Sequence, residues 1–339
     1  MPEKFLFPFL LSFILSAALL SFVLFLSRRF APMVRDEPGR THKAVSRFGG
    51  VALVLAFLAG VAANPDLEPT PQLIGLLVGA AFVLLVGAWD DIVPIGWPAQ
   101  LLFQLALASI IFLSGMRAWV LTNPFGEPLF LHPDSWFLPS FLVGLAFTVL
   151  VMNAVNWADG VDGLLGGVAT VAFSAIFLVS LRPEVNQPAV AILAAILAGL
   201  SFSFLLFNFP KASLMAGTAG SYFIGFSVAA LSLFAGAKIA TTLLVLAVPV
   251  LDAAYVIRAR VRAGASPFRG GDGRHLHDRL RLLGWSDRRV AVLYTGVSAL
   301  AALAALSFQA AGKFLFLAAL AAAFIFLVSR MEKIIGQRS

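Results

Sequence analysis

Long apolar runs recur along this chain, and they constrain its fold more than any other feature of the sequence. About eleven runs approach the length of roughly 17 to 25 residues that a helix needs to cross a bilayer. They cover approximately residues 5–27, 49–64, 72–89, 99–115, 136–154, 163–181, 187–208, 219–236, 239–257, 289–310 and 314–329. Hydrophobic residues make up 60% of the 339 positions, well above the share that a soluble domain uses. The sequence therefore predicts an all-α polytopic membrane protein with ten or eleven transmembrane helices.

Basic residues concentrate in alternate loops, and this bias predicts the orientation of the chain. If the N-terminus lies outside, most of the 24 Lys and Arg residues fall on the inside, where cytoplasmic loops carry their excess of positive charge. The predicted inside loops are approximately residues 28–48, 90–98, 155–163, 209–218 and 258–288. The C-terminus is then cytoplasmic, and residues 1–339 form one integral membrane domain. We therefore assign the net charge of +7 to the membrane surface and not to nucleic-acid binding.

The outside loop RAWVLTNPFGEPLFLHPD, residues 117–134, predicts a small β-hairpin. Two short runs of β-prone residues flank the turn-forming sequence Asn-Pro-Phe-Gly at residues 123–126. We expect a structural role for this hairpin.

The most specific polar motif is NAVNWADGVDGLLGG, residues 153–167. Polar groups at membrane depth are costly, so each such cluster is a candidate site. On a helix that unwinds into a turn, Asn153, Asn156 and Asp159 share one face, and Asp162 follows. Amide and carboxylate oxygens followed by glycines suit a hard cation and a phosphate-bearing ligand. A polar hinge between two spans is the alternative.

The acidic pair Asp90 and Asp91, in GAWDDIVPIGW, ends the third apolar run. Adjacent carboxylates repel each other, and the C-terminal end of a helix dipole disfavours them further. We therefore expect a cationic group nearby. An ordinary acidic interfacial loop is the alternative.

The segment FNFPKASLMAGTAGS, residues 207–221, joins two apolar runs. Pro210 ends the first helix, and Lys211 offers a point charge for phosphate. Gly217 to Ser221 could present backbone N–H groups to an anion at the start of the next helix. Close packing of small residues between helices is the alternative.

Two basic inside loops complete the set: RDEPGRTHKAVSRFGG, residues 35–50, and GGDGRHLHDRLRLLG, residues 270–284. The first places basic side chains where a lipid phosphate would lie, and the second could grip a diphosphate or a sugar. A positive-inside anchor and a solvated loop are the respective alternatives. A transition-metal site at His275 and His277 lacks a third nearby histidine, and the chain has no cysteine. Asp252, inside the ninth run, is expected to pair with one of these basic groups, as a structural ion pair or in catalysis.

In this order, the groups resemble the polyprenyl-phosphate N-acetylhexosamine-1-phosphate transferases, the glycosyltransferase family 4 superfamily that includes the MraY, WecA and TagO enzymes. The matching elements are DEPGRTHKAVSRFGG, the acidic pair, NAVNWADGVDGL, FNFPKA with GTAGS, and HLHDRL, which span roughly residues 36–284. HLHDRL is similar to the WecA and TagO branch and not to the three-histidine motif of MraY.

The resemblance implies a bacterial inner-membrane enzyme with its active-site cleft on the cytoplasmic face. It would transfer N-acetylhexosamine-1-phosphate from a UDP-GlcNAc-like donor to polyprenyl (undecaprenyl) phosphate and release UMP, the first step of a cell-envelope glycan. The implied partners are the UDP-N-acetylhexosamine, the polyprenyl phosphate and the lipid bilayer, with a homodimer left open. The implied cofactor is Mg²⁺, with Mn²⁺ as the alternative.

The resemblance also implies roles for particular residues. The catalytic candidates are Asp90, Asp91 and Asp159. The metal candidates are Asn156, Asp159 and Thr218. The substrate-binding candidates are Lys43, Arg47, Asn153, Asp162, Lys211, Gly220, Ser221, Arg274, His275, His277 and Arg279. Among these, Lys43 and Arg47 are assigned to the lipid phosphate and Asp162 to the uracil.

Two positions depart from the pattern of that family. Its glycine-rich element reads GDxGS with a metal-binding Asp, whereas this chain has Thr218 there, and Gln100 replaces a usual Lys. Asp278 also alters the histidine loop, which bears on donor choice. These departures keep open a catalytically impaired relative that binds lipid phosphate or nucleotide sugar. A transporter is the other alternative, because intramembrane acids also mark ion pathways.

Overall fold

Helices make up nearly all of the chain in the computed structural model, which describes residues 3–29, 34–35, 45–121, 123–131, 136–234, 239–267 and 273–337. The helices are α1 (Glu3–Arg29), α2 (Gly49–Ala62), α3 (Pro71–Ile92), α4 (Trp97–Leu113), α5 (Phe137–Ala158), α6 (Leu164–Ser180), α7 (Pro188–Asn208), α8 (Gly217–Phe234), α9 (Ile239–Val245), α10 (Ala247–Arg262), α11 (Leu276–Leu282), α12 (Asp287–Ser307) and α13 (Ala310–Gly336). The strands are β1 (Val34–Arg35), β2 (Val45–Ser46), β3 (Val120–Leu121) and β4 (Leu129–Phe130).

The helices coincide with the apolar runs, so the prediction of an all-α polytopic membrane protein is confirmed. Among the described residues, seven helices are long and apolar enough to cross a membrane: α1, α3, α5, α7, α8, α12 and α13. The shorter apolar helices α2, α4 and α6 account for three more of the predicted runs. Since length and composition alone do not show that these short helices cross, the number of crossings stays a prediction.

The ninth apolar run forms two helices and not the single straight span that was predicted. Helices α9 and α10 meet at an angle of 84°. Pro249 lies in the first turn of α10, where a residue without a backbone N–H is tolerated because that group would have no intrahelical partner. The proline therefore fits a new helix that begins at Ala247 better than the interior of a continuous one.

Within the described part of the chain, helix α8 lies among seven other helices, and glycines on its neighbours allow close contact. It packs against α2, α3, α4, α5, α6, α7 and α9. Of its 18 residues, 89% are buried, compared with 11% of the most apolar 18 residues of α13. A Cβ atom on Gly50 of α2 would lie 2.0 Å from the backbone nitrogen of Gly220. One on Gly87 of α3 would lie 2.5 Å from the Cα of Ala219. The backbones of α2 and α3 thus contact the first turn of α8 directly.

The fold brings several helix ends together at one end of the bundle, which we call the site face. Helices α3 and α5 end there, and α8 begins there. The segment after β2 joins them: the backbone N–H of Met215 donates to Ser46, and those of Gly49 and Gly50 donate to Met215 and Ala216. Backbone hydrogen bonds therefore hold the segment before α8 against β2 and the start of α2.

The predicted β-hairpin of the loop between α4 and α5 is confirmed. Strands β3 and β4 pair antiparallel, with Val120 opposite Phe130 and Leu121 opposite Leu129. Because α4 begins near the site face and ends at Leu113, this hairpin lies at the opposite end of the bundle.

Candidate active site

Asp91 caps the N-terminus of α8 with its side chain. Its carboxylate accepts hydrogen bonds from the backbone N–H groups of Thr218, at 2.7 Å, and Ala219, at 3.1 Å. Gly217 precedes them with a φ of +64°, and a Cβ there would lie 2.6 Å from both carboxylate oxygens. The helix dipole favours an anion at this position. The anion site that was predicted at the start of α8 is thus filled by a carboxylate of the protein itself.

The positive charge expected near the acidic pair comes from two sources. One is the first turn of α8, whose N–H groups face Asp91. The other is Arg47, whose charge acts on Asp91 and whose backbone oxygen lies 2.4 Å from the Cβ position of Gly217. Lys43, the other residue assigned to the lipid phosphate, lies outside the described residues.

The two residues that depart from the family pattern, Thr218 and Gln100, both donate hydrogen bonds to Asp90. The hydroxyl of Thr218 donates to its Oδ2 at 2.6 Å, and the amide of Gln100 donates to the same oxygen at 3.3 Å. The backbone N–H of Ile95 donates to Oδ1 at 2.7 Å. Asp90 is only 5% exposed, so these neutral donors satisfy a buried carboxylate. A carboxylate in place of Thr218 would instead face Asp90 with like charge.

Asn153 and Asn156 face other helices and help to align them. The amides of Asn153 and Gln104 exchange hydrogen bonds of 2.6 and 3.3 Å, and Gln104 also donates to the hydroxyl of Tyr222 at 2.9 Å. The Oδ1 of Asn156 accepts from the hydroxyl of Ser221 at 2.6 Å. These bonds join α5 to α4 and α8. The sequence interpretation missed Gln104 and Tyr222, although a glutamine within an apolar run was a signal that could have found them.

Gly220 and Ser221, which were predicted to bind substrate, lie inside the bundle. Gly220 packs against Gly50, and the hydroxyl of Ser221 also donates to the carbonyl of Gly217 at 2.8 Å. Both residues therefore hold the first turn of α8 in place, and direct contact with a substrate stays a prediction. Lys211, by contrast, is exposed on the segment that precedes this turn.

The turn after α5 is fixed to the segment that precedes α8. The Oδ2 of Asp162 accepts from the backbone N–H of Ala212 at 3.0 Å. The amide of Asn208 accepts from Gly163 and donates to the carbonyl of Leu214, both at 2.8 Å. Asp159 is the C-cap of α5, and its side chain is buried. The carboxylates of the NxxNxxDGxDG motif are thus held in a rigid turn at the site face.

The histidine segment, residues 274–282, follows α10 in the chain and packs against the turn after α5. The Nδ1 of His275 lies 2.8 Å from the Oδ2 of Asp252, whose other oxygen accepts from the N–H of Leu276 at 2.8 Å. The expected pairing of Asp252 with a residue of the basic loop is confirmed. The rings of His275 and His277 are stacked at 5.3 Å. A Cβ on Gly160 would lie 2.9 Å from the Nε2 of His277, so the absence of a side chain permits this approach.

Trp157, Arg260 and Arg281 support the contact between the histidine segment and the turn after α5. None of the three was selected from the sequence. The centres of the Trp157 and His275 rings are 5.1 Å apart. The guanidinium carbon of Arg260 lies 5.2 Å from the centre of the Trp157 ring. Arg281 donates to the carbonyl of Gly160 at 3.2 Å. Burial lowers the pKa of Arg281, but its hydrogen bond and ion pair with Asp287 outweigh this effect and raise the pKa above its usual value. Arg281 therefore stays charged.

Arg279 points away from the histidines, and Arg274 contributes its backbone to that arrangement. The Nε of Arg279 donates to the carbonyl oxygen of Arg274 at 3.1 Å. One terminal nitrogen donates to Glu332 at 2.9 Å, and the other donates to the hydroxyl of Tyr255 at 3.3 Å. The predicted grip of Arg279 on a diphosphate is therefore replaced here by contacts with protein groups, and its role toward substrate stays a prediction.

The donors at the site face fit a metal ion that is shared with a phosphate ligand. In the described part of the chain, no three His, Asp or Glu side chains converge to form an all-protein metal cage. Asn156 and Asp159 offer one amide oxygen and one carboxylate a helical turn apart. Mg²⁺ commonly takes one or two carboxylates and completes its shell with substrate phosphates and water. The hydroxyl of Thr218, the third metal candidate, donates to Asp90.

Comparison with known proteins gives one family and several relatives. The model of "Glycosyl transferase family 4" matches residues 73–236. A "Decaprenyl-phosphate N-acetylglucosaminephosphotransferase" of Mycobacterium leprae is 32% identical, with 78% of this chain and 74% of the relative covered. A "Probable undecaprenyl-phosphate N-acetylglucosaminyl 1-phosphate transferase" of Bacillus subtilis is 29% identical, covering 76% and 73%. A "Phospho-N-acetylmuramoyl-pentapeptide-transferase" of Geobacillus kaustophilus is 28% identical, covering 87% and 93%.

Proposed function

Because this chain belongs to glycosyl transferase family 4, within the superfamily of polyprenyl-phosphate hexosamine-1-phosphate transferases, we propose that it transfers N-acetylglucosamine-1-phosphate from UDP-GlcNAc to undecaprenyl phosphate. One observation carries this proposal. The acidic pair, the NxxNxxDGxDG turn and the histidine segment come from distant parts of the chain, yet the fold brings them to the site face. A membrane enzyme that joins a water-soluble donor to a lipid acceptor needs its polar groups at such an end of the bundle.

The choice of donor and branch rests on the histidine segment and on the relatives. HLHDRL has two histidines, as in the WecA and TagO branch that this chain resembles. Two of the relatives whose names specify N-acetylglucosamine are 29% and 32% identical, and one of the muramoyl-pentapeptide relatives is 28% identical. We therefore propose UDP-GlcNAc in preference to a UDP-muramoyl-pentapeptide.

The proposed reaction exchanges one phosphorus–oxygen bond for another. A phosphate oxygen of the acceptor forms a bond to the β-phosphorus of UDP-GlcNAc, and the bond from that phosphorus to the bridging oxygen breaks. The bridging oxygen leaves with UMP. Both reactants are anions, so catalysis requires positive charge at the transferred group. A magnesium ion held by Asn156 and Asp159 would supply part of that charge.

Residues of the chain are assigned the remaining roles in proton transfer and in neutralising the phosphates. We assign Asp90 to accept the proton of the acceptor phosphate, with Thr218 and Gln100 fixing the orientation of its carboxylate. Arg47 and Lys43 would neutralise the acceptor phosphate, and Lys211 is exposed where it can meet the donor diphosphate.

The donor would lie between the turn and the histidine segment. Asp162 is assigned to the uracil, and His275, His277 and Arg274 are assigned to the sugar diphosphate. On this proposal the site face is cytoplasmic, because the nucleotide sugar and the basic loops are then on the same side of the membrane.

A UMP-release assay tests this function. The full-length protein in nanodiscs is given UDP-GlcNAc and undecaprenyl phosphate, with magnesium or with a chelator. We expect magnesium-dependent release of UMP, and Asp159→Asn should reduce its rate by about 100-fold or more, as loss of a group that stabilises a charged transition state does. Asp66→Asn is the matched control, because Asp66 is a surface carboxylate paired with Lys4. Failure to release UMP from any UDP-N-acetylhexosamine would contradict the proposal.

Catalytic impairment is the second candidate, and the contacts of Asp90 motivate it. Thr218 and Gln100 both replace charged residues of the family pattern and both bind this one carboxylate. If they abolish catalysis, Thr218→Asp combined with Gln100→Lys should create activity in a protein that otherwise only binds its ligands.

A further inference from the structure

The histidine segment is attached to the bundle at two points, one on each side of His277. The first is Asp252, which holds His275 and the N–H of Leu276. The second is Arg279, whose contacts with Glu332 and Tyr255 are described above. His277, which approaches Gly160 of the site-face turn, lies between them.

The second attachment is a polar network between three helices. The guanidinium of Arg279 lies 5.0 Å from the ring of Tyr255 on α10, and the Tyr255 hydroxyl also donates to Glu332 on α13. The side chain of Arg279 is 11% exposed, and that of Glu332 is 52% exposed. All three nitrogens of the Arg279 side chain therefore donate to groups of the protein.

Helix α11 depends on such attachments, because it has only seven residues. A helix of this length is not stable by itself in water. Asp252 and Tyr255 are three residues apart on α10, so they lie on the same face of that helix. This face of α10 contacts α11 at its start, through Asp252, and at its middle, through Tyr255 and Arg279.

We propose that Glu332 and Tyr255 are positioning residues for the transferase: through Arg279 they hold His277 against the turn of residues 159–163 and so set the affinity for the sugar nucleotide. The inference rests on the proposed function. It gives the C-terminal helix α13 a part in donor recognition, and it assigns Arg279 to positioning and not to direct contact with the diphosphate.

Steady-state kinetics of the full-length protein in nanodiscs tests the assignment. Glu332→Ala should raise the KM for UDP-GlcNAc by about fivefold to tenfold, in line with the loss of a charge-assisted hydrogen bond. The KM for undecaprenyl phosphate should stay unchanged. Tyr255→Phe should have a smaller effect of about twofold, because the ring contact with Arg279 remains. Lys333→Ala is the control, an exposed residue on the same turn of α13.

A double-mutant cycle separates positioning from direct binding. If Arg279 acts through Glu332 and Tyr255, Arg279→Met should raise the KM somewhat more than Glu332→Ala does, and the double variant should be no worse than Arg279→Met alone. If Arg279 binds the diphosphate itself, its loss should cost far more, and the two effects should add. Additive effects, or an unchanged KM in Glu332→Ala, would overturn the inference.

Hydrogen–deuterium exchange supplies a readout that does not require turnover. Glu332→Ala should speed exchange of the amides of residues 276–282, and Lys333→Ala should not. Unchanged exchange in Glu332→Ala would overturn the inference. If the two variants show this exchange pattern but the wild-type protein releases no UMP, the result would count against the proposed function alone.

Discussion

The acidic pair and the histidine segment meet at the same face, but they are held there in different ways. Asp91 is fixed by backbone N–H groups of α8, and the glycines around it bring whole backbones into contact. The histidine segment is fixed by side chains, from Asp252 on one side to Glu332 on the other. Backbone contacts leave little freedom for adjustment, whereas a short helix held by side-chain hydrogen bonds can shift. We call the acidic pair and the first turn of α8 the acidic region. We infer that this region is the rigid part of the site and that the histidine segment is its adjustable part.

The largest effect should come from adding one methyl group to the rigid region. Gly50→Ala places a Cβ 2.0 Å from the backbone nitrogen of Gly220, and neither backbone can yield without moving a helix. The free energy of unfolding should fall by about 3 kcal/mol, the cost of overpacking a dense core. Chemical unfolding in detergent measures it.

Gly296→Ala is the matched control for that substitution. A Cβ on Gly296 of α12 meets nothing within 4 Å, so the change should be neutral or stabilise by up to about 1 kcal/mol, as expected for Gly to Ala in a helix. Equal losses in the two variants would contradict the close backbone contact at Gly50, and with it the rigidity inferred for that region.

A smaller effect is expected from restoring the acid of the family pattern by itself. Thr218→Asp removes a hydroxyl that donates to Asp90 and puts a second carboxylate against it. Repulsion between like charges should reduce kcat/KM by about 30-fold. Adding Gln100→Lys should recover much of the loss, because a cation then faces both carboxylates. A rise in activity with Thr218→Asp alone would favour the impaired-relative hypothesis.

The smallest of these effects should appear in the adjustable region. Asp252→Asn keeps an oxygen for the N–H of Leu276 but puts an NH₂ donor opposite the Nδ1 of His275. A His275 that carries its proton on Nδ1 then loses its acceptor, so kcat/KM for the donor should fall by about tenfold, as for loss of a group that orients a functional histidine. The unfolding midpoint should change little, in contrast to Gly50→Ala. A large loss of stability would show that the histidine segment is as rigid as the acidic region.

The sequence predicted local features well, because their signals are local. The apolar runs gave the helices, the turn residues gave the β3–β4 hairpin, and the position of Asp252 near a basic loop gave its pairing with His275. The spacing of Asn153 and Asn156 predicted one shared face for a cation or a phosphate ligand, whereas their amides bind Gln104 and Ser221 on neighbouring helices.

Contacts between distant elements could not be predicted, because they depend on how the helices pack. Asp91 and Thr218 are 127 residues apart, and no periodicity connects a carboxylate to backbone groups at that separation. Arg279 was assigned to a diphosphate because basic residues of a loop look alike in sequence. Only the packing of α10, α11 and α13 reveals Tyr255 and Glu332 as its partners.

The fate of the β-phosphorus tests the central claim most directly. UDP-GlcNAc labelled with ³²P at the β-position is incubated with the full-length protein, magnesium and undecaprenyl phosphate, and the lipid is then extracted. We predict that the label enters the lipid fraction in equal amount to the unlabelled UMP released. Label that stays in the aqueous phase, with no UMP formed, would contradict the assignment of this chain as a GlcNAc-1-phosphate transferase.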